Sequence, residues 1–237
     1  MIPSTDRIVE YFVGINPANP LNAIESKPDM TVQNAAAPSR RLILGSSSVY
    51  RRHLLERLGL PFEVTSPNID ESAHPGEHPA ALARRLALQK AQAIADQLPA
   101  DQRSALVIGS DQVAVMGGQA YGKPGDHKKA VEQLQTLSGQ TVVFETALCL
   151  FDAATGRAYE ELVSTEVEFR DLTLGEIEAY LAKEPAYDCA GSAKSEGLGI
   201  ALLERLSGDD PTALIGLPLI ALCRLLRHAG FDPLARN

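Results

Sequence analysis

The segment ALVIGSDQV, which begins at Ala105, limits the fold more than any other stretch of the chain. Ala105 to Ile108 is an unbroken apolar run with β-branched members, the composition of a central strand buried on both faces. The same strand then meets Asp111. A carboxylate at the polar break of a buried strand is costly unless it serves a metal, a partner or a proton. Any fold that buries this strand must therefore build something around Asp111. Beyond the break, Val113 and Val115 alternate up to a Gly117-Gly118 turn, which predicts a hairpin.

The flanking segments alternate between strand and helix patterns. RLILG, from Arg41, reads as a strand that stops at Gly45, and a serine cluster leads into a helix. In that helix Leu54, Leu55 and Leu58 share a face, Ser47 or Ser48 caps the start, and Gly59 ends it. PFEVTSPNI is a second strand candidate, with Asp70 and Glu71 directly after it. Helices are predicted over Pro79 to Gln97, Asp126 to Leu137, a Thr173/Glu176 capping box to Lys183, and Pro218 to Ala229. About Thr141 to Phe151 and Ala158 to Arg170 form an antiparallel pair around a Thr155-Gly156 turn. The result is a mixed α/β fold whose sheet is partly antiparallel. Residues 1–39 lack sustained periodicity and read as a poorly packed extension, with Met30 an alternative start; residues 40–237 form the folded domain.

Composition excludes several classes of function. The chain has 237 residues, 45% of them hydrophobic, enough for one catalytic unit with one core or two lobes. A net charge of -8 argues against coating nucleic acid, though a small anion remains a suitable ligand where basic residues focus in one cleft. Cys149, Cys189 and Cys223 are odd in number and lack CxxC spacing, so neither a disulfide framework nor a zinc knot is indicated. The expected compartment is the reducing cytoplasm. No apolar run approaches the roughly 18 residues of a membrane span, and the start lacks secretory-signal character.

The segment GSSSVYRR, Gly45 to Arg52, puts Ser46, Arg51 and Arg52 where helix N-terminal amides favour an anion. It is either a phosphate cradle or a Ser48 cap with solvated arginines. Lys90 lies on a stripe with Leu82, Leu86 and Ile94 at helical spacing. It either meets a buried anion or snorkels to water. Lys123, in GKPGD, offers a second cation to the same cleft. Asp70 and Glu71 either join Asp111 in holding a hard divalent ion or cap a turn. In AGSAKSEGLGI, Glu196 either accepts from the donor edge of a guanine or faces solvent. His53, His74 and His78 match no zinc spacing and read as surface residues.

Taken together and in this order, LILGSSSVYRRHLLERLGLPF, IDE, LALQKA, VIGSDQV, GKP, LSG and CAGSAKSEGLGI resemble the Maf-like nucleotide pyrophosphatases over about Arg41 to Pro233. The resemblance implies a two-lobed Maf/inosine-triphosphatase-like fold, with a nucleoside triphosphate and a divalent metal (Mg²⁺, Mn²⁺ or Co²⁺) in the cleft between the lobes. By position, Asp111 resembles the family's proton acceptor, Arg51, Lys90 and Lys123 its phosphate-handling residues, and Glu71, with Asp111, its metal-side carboxylates. Tyr50, Gln112 and Glu196 resemble the specificity positions of the branch acting on 7-methyl-GTP, rather than the branch cleaving dTTP and UTP. Val49 departs from the usual proline, and Tyr50 stands where tryptophan is common. A methylated guanine is cationic, so a Tyr50 face and a Glu196 carboxylate suit it. The expected partner is a small nucleotide, with neither nucleic acid nor membrane involved, and a homodimer is compatible. A non-catalytic nucleotide-binding regulator of septum formation is the rival reading.

Overall fold

A computed structural model describes residues 40–235. The 1–39 segment, and with it the question of Met30, lies outside the described residues. β1 (Arg41–Gly45), β2 (Glu63–Thr65), β3 (Ala105–Met116), β4 (Gln119–Tyr121), β5 (Thr141–Asp152), β6 (Arg157–Phe169) and β7 (Leu203–Gly208) form one seven-stranded sheet. Its order is β2-β1-β3-β5-β6-β7, with β4 on β3. β1 pairs in parallel with β2 and β3, and the remaining pairs are antiparallel. The helices are α1 (Val49–Glu56), α2 (Pro79–Gln97), α3 (His127–Leu137), α4 (Leu174–Lys183) and α5 (Leu219–His228). Among the described residues, no helix is long and apolar enough to cross a membrane.

Helix ends follow local chemistry. Ser48 caps α1 and Asp126 caps α3, while Thr173 and Glu176 complete a reciprocal capping box on α4. One expectation is corrected, and one strand has no counterpart in the sequence reading. Of PFEVTSPNI only Glu63–Thr65 pairs, as an exposed edge strand, because Pro61 and Pro67 flank it and cannot donate to a ladder. β7 is an exposed edge strand whose residues lack the alternation that marks a half-buried strand.

Side chains alternate across β3 and divide the core. Leu106 and Ile108 join Leu54, Leu55 and the apolar face of α5. Val107 and Val113 face the opposite side, where α2 packs through Ala83, Ala87, Ala91 and Ile94. Further along the first face, Ala114 and Phe144 meet α3 and α4. Ser110, Gln112 and Thr146 lie between the two apolar clusters of that face. α2 lies unusually close to β3, because a Cβ on Gly109 would overlap the Ala87 carbonyl and fall 2.9 Å from the Ala91 amide.

Pairing along one edge of β3 is interrupted. β1 runs beside it only from Arg41↔Ala105 to Leu44↔Ile108, and β4 only from Ala114↔Tyr121 to Met116↔Gln119. Among the described residues, 109–113 therefore carry no strand on that edge, while β5 continues along the other. Asp111 sits in this gap, where the carboxyl end of a parallel strand and the start of a helix meet it, as at ligand sites of α/β sheets.

The loop before α5 is anchored by Asp210, only 3% exposed, whose carboxylate accepts from the amides of Thr212, Ile220 and Ala221 and from the Thr212 hydroxyl. Asp152, at the far end of β5, is pushed up by burial but held below its ordinary range overall by Arg40, Thr155 and the Ala154 amide. A carboxylate depressed in the folded state contributes stability above its unfolded pKa and loses it as pH falls through the lower, folded value. Thermal unfolding followed by circular dichroism should therefore show Arg40→Ala lowering Tm near neutrality. Below the ordinary aspartate range, near pH 4, the difference should shrink. An unchanged difference at low pH would contradict the pairing.

Candidate active site

A cavity of about 570 Å³ opens at the gap in β3. The serine turn after β1 and the first turn of α1 form one wall, through Ser46, Ser48 and Arg51. Glu71, Lys90, Asp111 and Lys123 line the same space. Lys90 is 5% exposed, and its Nζ donates to Asp111 Oδ1 at 2.7 Å and lies 3.0 Å from Glu71 Oε1. The ammonium thus meets carboxylates instead of snorkelling, which resolves the alternatives for that position. Asp111 is a buried carboxylate with a matching counter-charge, and Glu71 reaches the same ammonium from an exposed loop while staying exposed itself. Its neighbour Asp70 points elsewhere and accepts from the Ser72 amide, as a turn residue does.

Arg51 is held from the other face of the sheet. Its Nε donates to the Gly216 carbonyl at 2.8 Å, an oxygen that also accepts from Ser110 Oγ at 2.9 Å. Burial lowers the Arg51 pKa, an effect opposed by Asp111 and Glu71. Ser48 both caps α1 and lines the cavity. Arg52 turns outward and pairs with Glu56 at 3.5 Å; it does not line the cavity.

Tyr50, Asp188, Cys189 and Glu196 also line the cavity. The Tyr50 hydroxyl lies 3.5 Å from Asp188 Oδ1, and burial, with Cys189 and Asp188 nearby, raises the phenol well above its usual value. Lys194 Nζ stands 5.2 Å from the centre of the Tyr50 ring. Burial, then Asp188 and Glu196, pushes the Cys189 thiol up to about 12. It is protonated at neutral pH, which argues against a thiolate nucleophile. The cavity therefore brings the cations Arg51, Lys90 and Lys123 together with a cluster in which Tyr50 meets Asp188 and Lys194.

Gln112 also lines the cavity, but its amide nitrogen donates toward Thr146 Oγ1, Ala213 O and Leu214 O at 2.9, 2.9 and 3.0 Å. Its carbonyl oxygen is the polar atom left for a ligand, and the amide anchors the loop carrying Gly216. Sequence reading missed Asp188, Cys189 and the Leu214–Gly216 wall. The Asp-Pro-Thr before a helix start was the available signal for that loop; nothing local marked Asp188.

Among the described residues, no group of three or more His, Cys, Asp or Glu side chains could cage a metal ion by itself. Two carboxylates of the cavity, Asp111 and Glu71, share the Lys90 ammonium.

The Maf-like protein family model matches residues 41–229. A 7-methyl-GTP pyrophosphatase of Cupriavidus metallidurans is 60% identical over 190 residues, covering 80% of this chain and 94% of the relative. One of Cupriavidus pinatubonensis is 58% identical over 196 residues, 83% of this chain and 96% of the relative. One of Albidiferax ferrireducens is 56% identical over 195 residues, 82% and 96%. With a family match that takes in both walls of the cavity, the chain belongs to the Maf-like protein family.

Proposed function

We propose that this protein hydrolyses 7-methyl-GTP to 7-methyl-GMP and pyrophosphate. The observation that carries the reading is Lys90 joining Asp111 and Glu71 in a cavity that Arg51, Lys123, Tyr50 and Glu196 also line. The names of the relatives point the same way. Asp111 orients a water and accepts its proton as the oxygen attacks the α-phosphorus; the bond from that phosphorus to the bridging oxygen breaks, and pyrophosphate leaves. Arg51 and Lys123 hold the departing phosphates, and Lys90 fixes Asp111 in place. Asp111 and Glu71 would hold a divalent ion, Mg²⁺, Mn²⁺ or Co²⁺, which supplies charge neutralisation on the phosphates when bound.

At the base, Glu196 accepts from N1 and N2 of the guanine, and Tyr50 offers its ring to the cationic methylated base. Tyr50→Ala and Glu196→Gln should therefore each reduce kcat/KM for 7-methyl-GTP by about tenfold to a hundredfold, the equivalent of roughly 1.4–2.8 kcal/mol. Their effect on a poorer nucleotide such as dTTP should stay within about threefold. Steady-state pyrophosphate release measures both. Equal losses on all nucleotides would remove these residues from base selection.

A further inference from the structure

The loop that presents Glu196 is wrapped around a single carboxylate that the sequence did not single out. Glu184 stands at the C-terminal end of α4, and its side chain is 19% exposed. Its Oε2 accepts from the Leu198 amide at 2.6 Å and the Gly199 amide at 3.3 Å, and its Oε1 lies 3.5 Å from Lys194 Nζ. The same Lys194 carries its ammonium over the Tyr50 ring, and its amide donates to the Tyr180 hydroxyl at 3.0 Å. Of the glycines of KSEGLG, Gly199 is required by this wrapping and Gly197 leaves room for the carboxylate. A Cβ on Gly197 would overlap the Glu184 carboxylate, and one on Gly199 would overlap the Lys194 backbone. Glu196 is the residue of this turn that lines the cavity, whereas Glu184 and Lys194 do not.

We infer that Glu184 is the positioning residue for base selection: it folds residues 194–199 around its carboxylate, so that Glu196 faces the cavity and Lys194 is placed against Tyr50. The inference rests on the reading of Glu196 and Tyr50 as the base end of the site. A carboxylate accepting backbone amides makes stronger hydrogen bonds than a neutral acceptor, and these two belong to the turn that carries Glu196. Removing it frees the loop without touching Asp111, Lys90 or Arg51.

The test is Glu184→Ala, with Glu184→Gln as the conservative variant. Expected for Glu184→Ala is a KM for 7-methyl-GTP raised roughly tenfold with kcat changed less than about threefold, and a correspondingly smaller preference over GTP. Glu184→Gln, which keeps an acceptor, should recover part of that preference. Amide hydrogen exchange at Leu198 and Gly199 should accelerate in Glu184→Ala while β3 and β5 keep their protection. If Glu184→Ala does not fold, Gly197→Ala displaces the loop from the other side and should reproduce the KM effect. A uniform fall in kcat on every nucleotide, or unchanged KM and unchanged exchange at Leu198 and Gly199, would overturn the inference. A wild-type protein with no preference for 7-methyl-GTP would instead refute the base reading alone; Glu184 is then judged by the same KM shift on whichever nucleotide wild type prefers.

Discussion

Asp111→Asn should lower kcat for pyrophosphate release by about 10²- to 10⁴-fold, the range over which a positioned general base contributes. The substitution preserves the shape of the side chain and an oxygen toward Lys90 but removes the proton acceptor and one charge of the cluster. Lys90 keeps Glu71, 3.0 Å away, as a counter-charge, so the protein should still fold. Circular dichroism should show a native spectrum with Tm lowered by a few degrees, and 7-methyl-GTP should still bind. A variant retaining more than about a tenth of wild-type turnover would remove Asp111 from the role of base, since even the smallest general-base contribution exceeds that.

Gly109→Ala should produce the largest loss of stability of any single methyl addition in this fold. The new Cβ would overlap the Ala87 carbonyl and crowd Ala91, whose own Cβ would lie 3.1 Å away. Ala87 and Ala91 are 1% and 0% exposed, and the obstruction is helix backbone, so no rotamer change relieves it. Overpacking of this kind costs about 1–3 kcal/mol or more, which for a domain of this size lowers Tm by roughly 2–12 °C. Because α2 must move away from β3, Lys90 moves with it and leaves Asp111, so turnover should fall well below Tm as well. Thermal melts paired with assays at a permissive temperature check both effects. A Tm within about a degree of wild type would show that the close approach of α2 is not required.

The sequence made some of this legible and left other parts hidden, for identifiable reasons. Pro79–Gln97 is bounded in the structure as in the sequence reading because its apolar period is long and a proline marks its first turn. The carboxylate at Asp111 was readable because a charge in a buried strand is costly, whereas the apolar stripe around Lys90 left burial against an anion and snorkelling to water both open. That these two meet could not be read, since 21 residues separate them and only the packing of α2 on β3 brings them together. Asp70 and Glu71 were indistinguishable in sequence, yet one holds a turn and the other reaches Lys90. Arg51 and Arg52 parted in the same way, because adjacent helical positions point about 100° apart. Gln112 was assigned to the base, but its amide is committed to backbone carbonyls of a loop 101 and 102 residues away. Glu184 and Asp188 carried no local signal, because their partners are amides and a hydroxyl, groups that leave no trace in composition.

The most direct measurement is pyrophosphate release by the wild-type protein from 7-methyl-GTP, GTP, dTTP and UTP, with Mg²⁺, Mn²⁺ or Co²⁺, in ¹⁸O-labelled water. Asp111 activating water, with Tyr50 and Glu196 selecting the base, predicts that kcat/KM is highest for 7-methyl-GTP by about tenfold or more, and that the label appears in 7-methyl-GMP and not in pyrophosphate. Release of no pyrophosphate from any nucleotide with any of these ions, or label in the pyrophosphate, would contradict hydrolysis at the α-phosphorus. A preference for dTTP or UTP would contradict the assignment of the base.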